Sequence, residues 1–358
     1  MLPLLFSALF TFGLDTVPPD GPYLFYEGDT VTAQWADTEL RTVGKTIFDP
    51  EHFACMPHFP TFRPEMVDVG RDFQRLTKVH YEGVDKVAAL SDIHGQFDAG
   101  RQLLEANGVI DENLHWSFGD GHLVIVGDIF DRGDQVTELL WLIHNLEMEA
   151  VAAGGKVHFL LGNHETLTLE GDDRYLHAKY RTTAGLTGKF YRELYGPDSY
   201  LGRWLRSLPL VVEINNTVYI HGGLSRKMVR EVSSIDRINE IYHSRLIDAE
   251  DISEVKQNNR RLQMLHGAEG PLWYRGYFTR DGFDERDLEY VLRRIGANRI
   301  VVGHTSFTAI HAYYDSRLIA VDSSIKFGGV GEILLYDDGD YFRGTIHGDR
   351  IPLVATTK

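Results

Sequence analysis

Cysteine is almost missing from this chain, with Cys55 standing alone among 358 residues. One thiol excludes an intramolecular disulfide and a thiolate-built zinc site. Nor does Cys55 have the setting of a nucleophile, because His52-Phe53-Ala54-Cys55-Met56-Pro57 is followed by no arginine-bearing phosphate loop. A buried or loop thiol is the expectation. Positive charge is also short: 36 Lys and Arg against 52 Asp and Glu give a formal net charge of −16. That balance argues against nucleic acid or an anionic membrane as partner, since both require surplus cations. Long apolar runs are missing too. The apolar stretch Leu2–Leu14 is too short to span a bilayer, and no later run is longer, so no membrane span is expected in the mature protein. Residues 1–16 read as a secretory signal, which implies a periplasmic or secreted protein. The stretch has no Lys or Arg ahead of it and no clear small-x-small cleavage site, and the competing reading is an N-terminal strand of a cytoplasmic protein. Repeats and low-complexity tracts are absent.

What is present is an ordinary globular composition, 43% apolar, in a chain whose length suits one α/β domain. Residues 17–86 are rich in Pro, Gly, Asp and aromatics, with short runs such as Tyr23–Tyr26 and Thr30–Ala33. They read as an irregular or β-rich N-terminal extension. From residue 87 to about 350 the pattern is that of a single catalytic domain. Short apolar strands are expected at Val87–Leu90, Leu123–Val126, Val157–Leu161, Val218–Ile220 and Ile300–Val302. Helices are expected near Phe97–Ala106, before the stop signal Asn107-Gly108, and near Gln135–Ala152. Asp337-Asp338-Gly339-Asp340 between two strand-like runs predicts a hairpin. Segments 166–210 and 226–296 are helical by pattern and could cap a cleft.

Just beyond the strands, where α/β sheets place ligands, stand five short motifs. They are Ser91-Asp92-Ile93-His94-Gly95, Gly127-Asp128-Ile129-Phe130-Asp131-Arg132-Gly133, Gly162-Asn163-His164-Glu165, His221-Gly222-Gly223 and Gly303-His304-Thr305. Carboxylate, amide oxygen and imidazole suit hard-to-borderline divalent ions, so Asp92, His94, Asp128, Asn163, His221 and His304 are the candidate ligands. Manganese, iron and zinc all fit that set. A central carboxylate, best assigned to Asp128, could bridge two ions roughly 3.5–4 Å apart. Metals and local arginines would then reverse the sign of an acidic protein inside one cleft. His164, beside a ligand but free of that duty, is the candidate general acid. Asp131 could orient its ring. Arg132 has the planar fork that grips phosphate oxygens. Glycines 95, 133, 222 and 223 are read as allowing tight turns beside the ions. No separate nucleophile is needed, and the implied mechanism is direct attack by metal-bound hydroxide.

These motifs resemble those of the phosphoprotein phosphatase family of metallophosphoesterases, GDxHG, GDxxDRG, GNHE, HGG and a later GH, in the family's order and over about residues 87–325. The resemblance implies a calcineurin-like α/β fold with a β-sandwich core flanked by helices and helical insertions around the cleft. It implies one ion on the matches to Asp92, His94 and Asp128, and a second on those to Asp128, Asn163, His221 and His304. Phosphate contacts fall to the matches to Arg132 and Asn163, and a further phosphate-binding arginine is nominated as Arg275 in Leu272-Trp273-Tyr274-Arg275-Gly276-Tyr277. Ser91 replaces the first glycine of the pattern. With the Trp-Tyr-Arg-Gly-Tyr string and the long segment Glu170–Gly185, it is similar to the Shewanella-like branch. That implies phosphoprotein or phosphopeptide substrates, with a tendency toward phosphotyrosine.

Blander readings compete at several positions. Most other histidines, such as His144 and His80, read as core or surface residues. Asp322 is either support for His304 or a strand-end turn. Arg174, Lys179 and Tyr180 could line a substrate pocket or sit on a solvated helix face. The functional alternatives are a hydrolase of small phosphates such as dinucleoside polyphosphates, since the metals read only the phosphate, and a binding module on the same scaffold. The intact metal and acid positions argue against the last.

Overall fold

The computed structural model describes residues 19–53, 59–73, 78–244, 260–279 and 281–356. Cys55 and the N-terminal apolar stretch lie outside them. Three strands open the described residues, β1 (Asp20–Glu27), β2 (Thr30–Asp37) and β3 (Thr42–Ile47), and form an antiparallel meander of their own. The short aromatic runs of the extension are therefore paired strands.

The body is a sandwich of two mixed sheets. One has the order β15-β14-β13-β5-β6-β7, in which β5 (Lys86–Leu90), β6 (His122–Ile125) and β7 (Lys156–Phe159) run parallel. Its other strands are β13 (Ile333–Asp337), β14 (Asp340–Gly344) and β15 (Arg350–Pro352). The second sheet has the order β16-β11-β12-β10-β9-β8-β4. It is built on β9 (Thr217–Ile220), β10 (Arg299–Val302) and β12 (Leu318–Ala320), all parallel. β8 (Val211–Ile214), β11 (His311–Tyr313), β4 (His80–Tyr81) and β16 (Ala355–Thr356) complete it. His80 thus lies in a strand, hydrogen-bonded to Glu213 and Asp236. The hairpin turn falls at Asp338-Gly339, both with positive φ, as a two-residue turn requires.

The strands are apolar throughout because both sheet faces are covered. Val87, Ala89, Val124 and Val126 meet Val212, Tyr219, Val301 and Ile319 inside the sandwich. Alternate residues such as Leu90, Ile125, Ile220 and Val302 point outward under the helices. The helix Val136–Ala152 packs along β7, and His144 in its middle is fully buried. Among the contacts that tie the extension to this body is a buried carboxylate. Buried Asp20 accepts hydrogen bonds from Tyr23 Oη at 2.9 Å, Thr137 Oγ1 at 2.8 Å and Thr183 Oγ1 at 2.6 Å.

Candidate metal centre

Five strand ends deliver the motif residues to one place. β5 runs into Ser91–His94, β6 into Asp128–Arg132, β7 into Asn163-His164, β9 into His221 and β10 into His304. The two sheets meet there, one supplying the carboxylates, the other two imidazoles. The chain turns so sharply that Asp92, His94, Asp128, Asp131, Arg132 and His304 all hold positive φ. For residues with side chains this conformation is uncommon, and it persists only where the surroundings impose it.

Glu165 is one of those surroundings. Fully buried at the start of the helix Asn163–Glu170, it accepts the amides of Asp128 at 2.8 Å, Ile129 at 2.7 Å and Gly162 at 2.7 Å. Burial, and then the charge of Asp128, push its pKa up. Glu165 stands in the Gly162-Asn163-His164-Glu165 motif without a metal or acid role, and its place three residues after Gly162 is the capping position that marks its function. The motif glycines matter for a related reason. A Cβ on Gly95 would lie 2.7 Å from the backbone of Gly133, and one on Gly222 would lie 2.8 Å from that of Leu272. Gly95 and Gly222 let backbone approach backbone, whereas a Cβ on Gly162 would lie 2.2 Å from Asp128 Oδ1 and one on Gly303 2.8 Å from Asp92 Oδ2, against the candidate ligands.

Asp128 Oδ2 is the hub. It lies 3.2 Å from His221 Nε2, 3.4 Å from His94 Nε2 and 3.9 Å from His164 Nε2. His94, Asp128 and His164 form one cluster of donor atoms within 4.8 Å of each other, and Asp128, His221 and His304 form another. Asn163 Oδ1 joins the second, 2.9 Å from His221 Nε2. Asp92 flanks the first, with Oδ1 3.8 Å from His94 Nε2. Nδ1–H of His94 donates to Phe130 O at 2.6 Å and that of His221 to Val126 O at 2.8 Å, which turns each Nε2 inward. His94 Nε2 is buried between two carboxylates and makes no hydrogen bond. An orphaned imidazole nitrogen in that position fits a divalent ion, as does a donor set confined to carboxylate, amide oxygen and imidazole.

Burial would lower the pKa of His94 and His221, but for each the carboxylates of Asp128 and Asp92 outweigh it and raise the value to about 9. An ion binding there must displace those protons. His304 moves the other way, down to about 2, through burial first and then the neighbouring His221 and Arg275. As a candidate ligand it would meet no competition from a proton.

His164 Nδ1–H donates to Asp131 Oδ2 at 2.5 Å, and both residues are buried. Arg132 and Arg275 stand at the exposed rim. Arg275 Nη1 donates to His304 O and lies 3.4 Å from Thr305 Oγ1, so it reaches the edge of the second cluster. All ten sequence-nominated site residues converge.

The pocket-lining suggestions fare differently. Tyr180 is fully buried, its hydroxyl donating to Asp134 O at 2.9 Å, and Lys179 is held by Asp134 O at 2.6 Å and Glu138 at 3.0 Å. Arg174 is exposed and paired with Asp172. The neighbour that does reach the site is Tyr175, 41% exposed, its ring 5.2 Å from that of His164 and 5.3 Å from the Arg132 guanidinium. Asp322 does not touch the His304 ring. It pairs with Lys326 at 2.7 Å and accepts Ser306 Oγ at 2.8 Å. Ser91 Oγ lies 2.6 Å from Asp92 Oδ2 and 3.0 Å from Val126 O, which gives the substitution of the motif glycine a direct hold on a candidate ligand.

Comparison with known proteins agrees with this geometry. The family model described as calcineurin-like phosphoesterase matches residues 85–306. The crystal structure of a cold-active protein-tyrosine phosphatase from a psychrophilic Shewanella species superposes with a TM-score of 0.84 at 38% identity, covering 94% of this chain and 100% of that one. Shewanella-like protein phosphatase 2 of Arabidopsis thaliana is 25% identical over 308 residues, 72% of this chain and 77% of its own length. A symmetrical bis(5'-nucleosyl)-tetraphosphatase of Chromobacterium violaceum is 26% identical over 298 residues, 72% and 94% of the two chains. The strand-end centre and these relationships agree: the chain belongs to the calcineurin-like phosphoesterases, within their Shewanella-like protein phosphatase branch, and is a hydrolase of phosphate esters.

Proposed function

We propose that this chain is a two-metal protein phosphatase whose cleft accepts phosphotyrosine. The observation that carries the substrate reading is Tyr175, an exposed ring standing between Arg132 and His164 at the mouth of the centre. A phenyl ester whose phosphate lies at the centre has an aromatic surface to pack on there, whereas a seryl ester presents one methylene. The Shewanella neighbour, a protein-tyrosine phosphatase, supports the same reading.

In this scheme Asp92, His94 and Asp128 would hold one divalent ion, and Asp128, Asn163, His221 and His304 would hold the other. Manganese, iron and zinc all match these donors. Two such ions would supply an activated water and neutralise charge on the phosphate oxygens. Arg132 and Arg275 clamp the remaining oxygens, with Asn163 also in reach of them. Asp131 accepts a hydrogen bond from His164 Nδ1–H, fixing the ring so that Nε2 faces the centre. Protonated at Nε2, His164 delivers that proton to the leaving oxygen.

A second reading, hydrolysis of dinucleoside polyphosphates, is supported by the Chromobacterium relative. The deciding experiment compares kcat/KM of the manganese-loaded protein on a phosphotyrosyl peptide, the matching phosphoseryl peptide and diadenosine tetraphosphate. The phosphotyrosyl peptide is expected to lead by about tenfold or more. A clear lead for the dinucleotide would overturn the proposal.

A further inference from the structure

Lys326 lies in a short 3-10 turn, Ile325–Phe327, between β12 and β13, and its side chain is 6% exposed. Its ammonium lies 2.7 Å from Asp92 Oδ1 and 2.7 Å from Asp322 Oδ2. Asp322 is anchored in turn, Oδ2 by Ser306 Oγ at 2.8 Å and Oδ1 by the Ser324 amide at 3.1 Å. A relay of contacts therefore runs from Ser306 through Asp322 and Lys326 to Asp92. It ends on Oδ1, the oxygen that faces His94 across the first cluster.

The other oxygen of Asp92 is already fixed. Oδ2 accepts the His304 amide at 2.8 Å and Ser91 Oγ at 2.6 Å. Asp92 is thus oriented without the lysine, and what Lys326 adds is charge. A buried ammonium on a donor oxygen draws electron density from it and repels a dication a few ångströms away, where screening is weak. No lysine or arginine lies on Asp128 Oδ2: among the described residues only imidazoles lie within ion-pair distance of it. The cation beside the second cluster, Arg275, is exposed and donates to the His304 carbonyl rather than to a carboxylate, so the two ion positions are built unequal.

We infer that Lys326 is a positioning residue that acts through Asp92 and makes the ion held by Asp92, His94 and Asp128 the weaker and more exchangeable of the two. Asp322 moderates that effect by sharing the ammonium. The inference rests on the two-metal reading above.

Manganese titration by calorimetry, with an atomic-emission count of metal retained after dialysis, tests it without an assay of turnover. The wild-type protein is expected to bind two manganese ions with separable affinities. Lys326→Met should tighten the weaker site by roughly tenfold or more, and leave the tighter one unchanged. Lys326→Arg should return the weak site to its wild-type affinity. Asp322→Asn is expected to act in the opposite sense, loosening the weak site, because it leaves the ammonium wholly on Asp92. It is nearly isosteric and keeps the inference testable if Lys326→Met does not fold. Unchanged or weakened first-site binding in Lys326→Met overturns the inference, as does an equal change at both sites. Fewer than two ions on the wild-type protein would instead remove the two-metal reading, and the inference with it.

Discussion

The floor of the cleft and its rim are made by different means. On the floor, Asp92, His94, Asp128, Asn163, His221 and His304 are all buried, most of them on strained turns at strand ends, and are locked by partners such as Glu165 and Ser91. The rim residues Arg132, Tyr175 and Arg275 are exposed, and two of them belong to the segments that follow β7 and β9 rather than to the strand ends. The floor leaves little conformational freedom and suits one reaction. The rim can change its side chains without disturbing the sandwich, and so can change the substrate.

The hardest blow to that contrast should come from Asp128→Asn, which removes the shared donor of both clusters. Metal content and kcat/KM should fall together, activity by roughly 10³-fold or more. Full metal loading in this variant would refute the bridging role. His164→Asn should leave the metal count intact while lowering kcat by roughly 10²–10⁴-fold on phosphoseryl peptide. The loss should be smaller on phenyl esters, because a phenol with a pKa of about 10 leaves with less help from an acid. Equal losses on both esters would argue against general acid catalysis by this residue. At the rim, Tyr175→Ala is expected to lower kcat/KM for phosphotyrosyl peptide by about tenfold, with little change for phosphoseryl peptide. A matched loss on both would make Tyr175 a prop for Arg132 rather than a platform for the substrate.

The smallest effect contrasts the floor with the hydrophobic core. Carboxylates raise His94 and His221, whereas burial alone dominates at His144 and lowers it to about 4. A histidine depressed on folding stabilises the fold fully above its unfolded pKa of about 6.5, and that contribution is lost as pH falls through 4. For His144 the loss between neutral pH and pH 4 amounts to roughly 3 kcal/mol. Thermal melts of His144→Gln from pH 7 to pH 4.5 should therefore show a shallower loss of Tm than the wild type. Parallel curves would show that protonation of His144 is not part of acid unfolding.

The floor was legible in the sequence because its chemistry demands particular residue types at strand ends, and apolar runs mark those ends. Strand positions were placed within about two residues for the same reason. The rim was less legible. Arg174, Lys179 and Tyr180 were nominated by type, yet Lys179 and Tyr180 turn toward Asp134, and only their neighbour Tyr175 meets His164. Which side of an irregular polar segment faces a cleft depends on how its flanking helices pack, and no periodicity encodes that. Lys326 was unreadable because its partner Asp92 is 234 residues away, and a lysine in a glycine-rich loop looks solvated. Asp322 was seen, but the contact that gives it meaning passes through that lysine.

The knot at Asp20 has a practical consequence for anyone shortening the protein. A cut at residue 86 would look natural, since every metal and acid position survives it. It would also remove Asp20 from the hydroxyls of Thr137 and Thr183, the carbonyl of Pro22 from the Trp141 indole at 3.1 Å, and Phe62 from the face of the same ring. The helix behind the Asp131-Arg132 loop would then present bare aromatic surface to water. The expected product is an insoluble polypeptide with a complete set of active-site residues, so its failure would reflect solubility and not catalysis.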